Sequence, residues 1–240
     1  MPSLRAAALT DIGRVRRENE DRLICDPKLL LFGVADGVGG LPGGAEAAEL
    51  AINEVTAAFR ALSPGTDPDL PEIAERANVA VGRLGLKLSP AMGIGTTLTV
   101  GCIRGSTLRI AHVGDSRCYA IHAGELTCLT EDHSVENEAK SRRARGEIVY
   151  YHEANRHALT RCIGQPSRVE VDVITRPLAS GDRYLFCTDG VTRLIADAEI
   201  GALMEKHDDP TAGLREIIAT AVTRGGPDNA TGVMVYIDRP

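Results

Sequence analysis

Aromatic residues are scarce in this sequence of 240 residues: they make up 3% of it, and tryptophan is absent. Proteins that hold single-stranded nucleic acid rely on aromatic stacking platforms, so this shortage argues against that class. Basic residues are not in excess either, since 27 Lys and Arg stand against 33 Asp and Glu, for a formal net charge of -6. A nucleic-acid partner is therefore not expected, because phosphate backbones are bound by clustered positive charge.

Paired cysteines and long apolar runs are missing as well. The six cysteines include no C-x-x-C pair and fall mostly in apolar segments, which favours reduced, buried thiols over a zinc site or a disulfide framework. The N-terminus lacks the basic and apolar stretches of a signal peptide, and no run reaches the roughly 18 apolar residues of a membrane span. We therefore expect a cytoplasmic protein with no membrane span.

Common catalytic and nucleotide-binding motifs are also absent. The glycine-rich run 37–42 has Pro42 where the third glycine of a dinucleotide-binding fingerprint would stand, and no Walker lysine follows it. Neither a G-x-S-x-G elbow nor an H-E-x-x-H pair occurs, and the six histidines lack metal-ligand spacing. Most histidines are therefore predicted to lie on the surface or in ordinary hydrogen bonds.

Hydrophobic periodicity predicts both helices and strands. Apolar residues recur at helical spacing in 45–62 and 70–84, and a third helix is predicted from the N-cap Asp209, followed by Pro210, to the stop at Gly225. Short runs rich in Leu, Val, Ile and Thr, separated by Gly and polar turns, predict antiparallel strands. These strands cover residues 4–9, 22–25, 29–35, 97–103, 108–113, 118–121, 126–129, 169–174, 184–187 and 232–237.

The order of these elements predicts the fold class. Strands come in blocks and helices in pairs, which favours an α+β fold of antiparallel sheets covered by helices over a doubly wound parallel sheet. We expect a single domain over residues 1–240, a length that supports one large core. Residues 134–161 are the exception, because they carry a basic stretch at 140–146 and no clean period, and we expect them to form a surface flap.

Acidic residues recur where apolar segments end. Asp36 and Asp189 each follow such a segment and precede a glycine, and Asp115 ends a third segment. One Asp-Gly after a strand usually marks only a turn, but the recurrence indicates carboxylates that are carried to the rim of a core. Such carboxylates need a partner, because water is scarce there.

Two further acidic positions extend this set. Adjacent residues on a strand point to opposite faces, so only one of Glu20 and Asp21 enters the same site directly, and Asp228 precedes the last strand. The candidate set, here named the acid cluster, is Glu20, Asp36, Asp115, Asp189 and Asp228. Like charges about 4 Å apart repel by roughly 4 kcal/mol per pair at an effective dielectric near 20, so the cluster requires cations. An all-oxygen donor set suits Mg²⁺, Mn²⁺ or Ca²⁺ and disfavours zinc or copper.

Eight short motifs follow one another along nearly the whole chain. They are RRENED at 16–21, VADGVGG at 34–40, GTT at 95–97, VGDSR at 113–117, LTEDHS at 129–134, LTRCIG at 159–164, TDG at 188–190 and DNAT at 228–231. In this order and spacing the chain resembles the metal-dependent serine/threonine protein phosphatases of type 2C, also called PPM, in their bacterial form. The resemblance implies a four-layer αββα sandwich, in which a helix pair flanks each of two antiparallel sheets.

The resemblance also implies a centre of two metal ions, Mn²⁺ or Mg²⁺. Asp36 would bridge both ions, and the Gly37 carbonyl and Glu20 would complete the shell of one. Asp189 and Asp228 would hold the other. A water that bridges two divalent ions has its pKa lowered from about 15.7 toward 7, so that hydroxide attacks phosphorus in line without a phosphoenzyme.

Further roles follow from the same resemblance. Asp115 with Asp189 would hold a third, weaker ion, Asp21 would support the site from behind, and Arg16 would grip the substrate phosphate. Animal members often carry a histidine at the position of Val38, where it is thought to protonate the leaving group. The sequence therefore identifies no general acid.

The predicted function is hydrolysis of phosphoserine and phosphothreonine in proteins. A Ser/Thr kinase or its targets are the expected partners, and a monomer is the expected state. The alternative from another class is a catalytically inactive relative that binds a kinase or a secretion regulator, and the retention of every core carboxylate argues against it. A metal-dependent nuclease is a weaker alternative, because the net charge is negative.

Overall fold

The computed structural model describes residues 2–38, 43–63 and 66–240, so Gly39, Gly40 and Pro42 of the glycine-rich run lie outside the described residues. In the described part, ten strands form two five-stranded antiparallel sheets. The first sheet contains, in spatial order, β1 (Ser3–Asp11), β10 (Ala230–Arg239), β9 (Arg183–Cys187), β6 (Arg117–His122) and β7 (Glu125–Cys128). The second contains β2 (Asp21–Asp26), β3 (Leu31–Asp36), β4 (Leu98–Arg104), β5 (Thr107–Val113) and β8 (Asp172–Pro177).

Helices cover the outer face of each sheet. The pair α1 (Gly44–Ala61) and α2 (Leu70–Leu88) packs on the second sheet, and the pair α5 (Asp197–Lys206) and α6 (Pro210–Thr223) packs on the first. Two further helices are α3 (Val135–Ala144), between β7 and β8, and the single turn α4 (Asp189–Thr192), directly after β9. None of the helices in the described residues combines the length and hydrophobicity needed to cross a bilayer.

Three apolar layers hold these elements together. Phe32 and Phe186 lie in the layer between the two sheets, Val55 lies in the layer under α1 and α2, and Ile217 lies in the layer under α6. All four side chains are buried. The predicted αββα sandwich is therefore confirmed, with an aliphatic interior to which few aromatic rings contribute.

The predicted helix starts correspond to side-chain caps. The Asp209 carboxylate accepts a hydrogen bond of 3.0 Å from the Ala212 N–H, and Pro210 is the first residue of α6. Asp69 caps α2 in the same way, through a 3.1 Å bond from the Glu72 N–H. These bonds satisfy amides that a helix leaves without partners at its N-terminus.

The predicted strand at 169–174 is wrong in its boundaries, because β8 is formed by Asp172–Pro177. Val169 is buried, and its N–H donates to the Glu75 carboxylate at 2.8 Å, so this part of the chain is bound to α2 rather than to a strand. An apolar residue that packs under a helix looks in the sequence like the start of a strand, since both positions are buried.

The basic segment 134–161 contains α3, which the sequence did not predict. The helix begins after Ser134, whose hydroxyl accepts from the Asn137 N–H at 3.3 Å, but Ala139 is its one buried residue. A helix without an apolar stripe shows no hydrophobic period of 3.6 residues in its sequence, so its presence could not be predicted from that pattern. Beyond it, Ile148 is 84% exposed, and the interpretation of the segment as a flap stays a prediction.

Candidate active site

Asp36 is placed by the antiparallel register of the second sheet. It is the last residue of β3 and lies opposite Asp21, the first residue of β2. The Asp36 N–H donates to the Thr97 hydroxyl at 2.9 Å, and its carbonyl accepts from the Thr97 N–H at 2.8 Å. The following residue, Gly37, leaves no room for a side chain, because a Cβ there would lie 2.5 Å from the Gly44 carbonyl oxygen at the start of α1. The Asp-Gly pair therefore reflects a close approach of two backbones.

Asn229 holds the loop that carries Glu20. Its amide nitrogen donates to the carbonyls of Ile12 at 2.9 Å and Glu18 at 3.1 Å, and its amide oxygen accepts from the Glu20 N–H at 2.8 Å. The side chain is buried. Asn229 stands in one of the eight motifs, but the sequence assigned it no role. In the structure its side chain ties the loop that carries Glu20 to the segment that carries Asp228.

Asp115 and Asp189 arrive from the two different sheets. Asp189 begins α4 directly after β9, and Asp115 lies in the loop between β5 and β6. The preceding residue, Gly114, has a φ of 113°, and a Cβ there would lie 2.6 Å from Thr97 Cγ2. Glycine is therefore required at this turn, since an L side chain would be strained and would overlap with Thr97.

Asp21 lies behind the site rather than in it. Its carboxylate is 3% exposed and accepts a 2.9 Å hydrogen bond from the Thr188 hydroxyl. Burial raises the pKa of Asp21 to about 7, although the hydroxyl partners favour the ionised form. Thr188 immediately precedes Asp189, so Asp21 is well placed to support that segment.

Two arginines lie between the carboxylates, and the first of them, Arg16, was predicted as a phosphate ligand. Its Nη2 atom donates to Asp228 at 2.8 Å, and its Nη1 atom lies 3.5 Å from a Glu20 oxygen. The side chain is 34% exposed, so it is reachable from solvent while paired to both acids.

The second arginine, Arg193, was not predicted. Its Nη2 atom contacts Asp189 Oδ2 and lies 3.7 Å from Asp115, and its Nη1 atom lies 3.9 Å from Asp228. The available signal was the four-residue offset from Asp189 on a short helical segment, which brings the two side chains to one face. A single arginine after an Asp-Gly motif otherwise resembles an ordinary surface charge.

The electrostatics of the acid cluster are unfavourable when it holds no ion. Burial raises the pKa of Asp115 to about 7, and burial together with the charge of Asp21 raises the pKa of Asp36 well above its usual range. Burial also raises the pKa of Asp189, and Arg193 opposes that shift. Asp189 Oδ1 is buried and has no hydrogen-bond partner among the described residues. A buried acceptor without a partner indicates a missing cation or donor.

The donor set fits hard divalent cations, because carboxylate and carbonyl oxygens are their preferred ligands. Among residues 2–38, 43–63 and 66–240, however, no three Asp, Glu, His or Cys side chains are arranged around one point as ready metal ligands. In the structure, Asp228 and Asp189 are instead paired with Arg16 and Arg193. Bound ions would therefore replace some arginine contacts.

A cleft of about 1070 Å³ opens above these residues. The acids at its floor are Asp36, Asp115, Asp189 and Asp228, and both arginines line it as well. Asp21 lies beneath this floor, and Glu20 is connected to it through Arg16. Exposed apolar side chains line the cleft as well, among them Leu86 and Met92, which are 71% and 66% exposed. Four of the five predicted acids thus line one cleft that is open to a large ligand.

Comparisons with known proteins agree with this geometry. A profile of the family described as protein phosphatase 2C matches residues 8–223. The serine/threonine protein phosphatase PstP of Mycobacterium tuberculosis is 34% identical over 98% of this chain, although the chain spans only 45% of PstP. A putative protein phosphatase 2C-type of Streptococcus pyogenes is 34% identical, with 95% of each protein covered.

The comparison with solved structures gives the same result. A crystal structure of the catalytic domain of PstP in complex with two manganese ions superposes with a TM-score of 0.81 at 31% identity, covering 98% of each chain. The resemblance found in the motifs is therefore confirmed. The chain belongs to the protein phosphatase 2C family, and its described residues have the fold of a metal-dependent serine/threonine phosphoprotein phosphatase domain.

Proposed function

We propose that this protein hydrolyses phosphoserine and phosphothreonine residues of other proteins. The observation that carries the proposal is the convergence of four aspartates at the floor of one cleft, where Asp189 Oδ1 is buried without a partner among the described residues. Repulsion between these carboxylates favours the binding of cations, and phosphoryl groups bind to cations. The inactive binding module is less favoured, because all five members of the acid cluster are present.

Two ions, Mn²⁺ or Mg²⁺, are proposed for the resting site. Asp36 would bridge both, Glu20 and the Gly37 carbonyl would bind one, and Asp189 and Asp228 would bind the other. When bound, these ions supply Lewis acidity toward the phosphoryl oxygens and lower the pKa of water. A third, weaker ion between Asp115 and Asp189 would have to compete with Arg193.

The protein's own side chains would bind and orient the substrate. Arg16 is partly exposed at the edge of the cleft, and its guanidinium can pair with two phosphoryl oxygens while remaining near Asp228. Asp21 would keep the Asp189 segment in place through Thr188. Val38 lines the cleft but has no proton to donate, so the chain offers no acid at that position for the leaving alkoxide.

The proposed setting is signal transduction in the cytoplasm. The substrates would be phosphoproteins, and a Ser/Thr kinase that phosphorylates them would be the opposing partner. All six cysteines are free thiols, and Cys102, Cys118 and Cys187 are buried, which supports a reducing compartment. A monomer is proposed as the working state.

An assay with a phosphothreonine peptide tests the proposal. We expect hydrolysis with Mn²⁺ or Mg²⁺, loss of activity in excess EDTA and recovery on adding Mn²⁺. The substitution Asp36→Ala should lower kcat/KM by about a hundredfold or more. The control Asp67→Ala removes an exposed carboxylate outside the cleft and should leave activity unchanged. Full turnover in EDTA, or in Asp36→Ala, would contradict the proposal.

A further inference from the structure

The positively charged side chain of Arg193 lies among the carboxylates of the acid cluster. Its guanidinium contacts Asp189 and lies 3.7 Å from Asp115 and 3.9 Å from Asp228. These three carboxylates come from three separate segments of the chain. One side chain thus reaches acids that come together only when the chain folds.

The pairing of Arg193 with Asp189 is set by local structure. The Arg193 N–H donates to the Asp189 carbonyl at 2.9 Å, so one helical turn joins the two residues. Side chains four positions apart on such a turn lie next to each other. A cation tethered over so short a span has an effective concentration far above that of a free ion. The guanidinium therefore competes strongly for Asp189.

The contacts of Arg193 identify the ion position that it affects. Asp115 and Asp189 are the pair to which the family resemblance assigns a third, weaker ion, and each side chain is only 11% exposed. Arg16 is engaged elsewhere, with Asp228 and Glu20. Arg193 is therefore the arginine that faces the third position.

We propose that the Arg193 guanidinium takes the place between Asp115 and Asp189 that a third divalent ion would otherwise occupy, so that the protein binds two ions. This inference rests on the proposed function for those two ions. A guanidinium neutralises charge at this position at any metal concentration, and it repels a divalent ion that approaches the same two carboxylates. A third ion would bind only where the guanidinium is displaced.

Manganese stoichiometry tests the proposal without relying on activity. Equilibrium dialysis against Mn²⁺ with elemental analysis would count bound ions, and calorimetry would give the affinities. We expect two ions in the wild-type protein and a third in Arg193→Ala, bound about tenfold or more tighter than any third ion of the wild type. The double variant Arg193→Ala with Asp115→Asn should return to two ions.

Two controls separate charge at the third position from general effects. Arg17→Ala removes an exposed positive charge next to Arg16 and should leave two ions. Arg193→Lys keeps a charge near the acids and should also stay at two, while circular dichroism verifies that each variant is folded. If the wild type and Arg193→Ala bound a third ion equally, or if both bound only two ions, this inference would be overturned and the proposed function would not. A wild type that binds no Mn²⁺ would overturn the proposed metal centre as well.

Discussion

Two polar clusters lie on either side of Gly114, and they differ in how their buried groups find hydrogen-bond partners. One is the acid cluster at the floor of the cleft. The other, here named the histidine cluster, consists of His112, His133, Arg161 and Asp172. The two histidine rings lie 4.7 Å apart between their centres, so both clusters crowd several titratable groups into a small volume.

His112 shows how the histidine cluster is satisfied. Its Nε2 atom bonds to the Glu131 carbonyl at 3.0 Å and its Nδ1 atom to the Thr99 hydroxyl at 2.9 Å. Because a carbonyl only accepts, Nε2 carries the proton and Nδ1 accepts from Thr99. Burial lowers the pKa of His112 to about 4, so the ring is neutral at physiological pH.

His133 connects the two clusters. Its ring Nδ1 atom accepts from the Gly114 N–H at 3.1 Å, and its backbone N–H donates to the Gly114 carbonyl at 2.7 Å. Its Nε2 atom bonds to Asp172, which also accepts from Arg161 at 2.8 Å. The histidine cluster therefore holds the backbone of the turn from which Asp115 projects.

The acid cluster is satisfied only in part, because Arg16 and Arg193 pair with some of its carboxylates. Burial raises the pKa values of Asp36, Asp115 and Asp189, and Asp189 Oδ1 is buried without a partner in the described part of the chain. A buried polar group that serves stability has its hydrogen bonds within the protein, whereas one that awaits a ligand does not. This difference supports the proposal that the acid cluster is the functional one.

Removal of an acid from the functional cluster should have the largest effect. We expect Asp189→Asn to lower kcat/KM by about a thousandfold, because it would remove charge from the proposed ion positions, without lowering the thermal stability of the metal-free protein. The matched control is Asp182→Asn, a buried acid bonded to His122 and Tyr184. It should lose stability and keep its activity. If both variants changed in the same way, the distinction between a functional acid and a structural acid would be contradicted.

A second prediction concerns stability in the absence of metal. The pKa of Asp115 is raised from 3.8 to about 7, so its ionisation destabilises the folded protein increasingly between pH 3.8 and 7 and by a constant amount above pH 7. Asp115→Asn should therefore raise the free energy of unfolding in EDTA by up to about 4 kcal/mol at pH 8. Urea unfolding at pH 8 and pH 4 measures this, and an equal gain at both pH values would contradict it.

The histidine cluster should respond to pH in the opposite direction. The pKa of His112 falls from 6.5 to about 4 on folding, so its contribution to stability is complete above pH 6.5 and is lost as the pH falls toward 4. The difference in unfolding free energy between the wild type and His112→Asn should shrink by up to about 3 kcal/mol over that interval. A difference between the two proteins that stays the same from pH 6.5 to pH 4 would contradict this prediction.

Elements with a periodic apolar pattern were predictable, and elements without one were not. The helices α1, α2 and α6 follow from their stripes, and the N-cap Asp209 with Pro210 as the first helical residue was predicted from the sequence. The helix α3 has one buried residue, Ala139, and was missed. The helix α5 buries Ile200, Gly201 and Met204, a stripe too short to stand out from a loop.

The same division holds within the site. The members of the acid cluster could be named because each stands at the end of an apolar segment in a recognisable motif. Asn229 could not be assigned a role, because its amide bonds to Ile12 and Glu18 across 217 and 211 positions of the chain. Arg193 carried a local signal, its offset from Asp189, but nothing in the sequence indicated that Asp115 and Asp228 would lie beside it.

The sequence by itself determined the kinds of elements, the donor chemistry of the site and the family, because periodicity, turns and motifs are local properties of the chain. Only the tertiary structure decided which cation faces which carboxylate and which polar atoms are left without partners. Those outcomes depend on the register of two sheets and on how they close over one another. A contact such as that between Arg16 and Asp228, 212 positions apart, exists only once this closure has occurred.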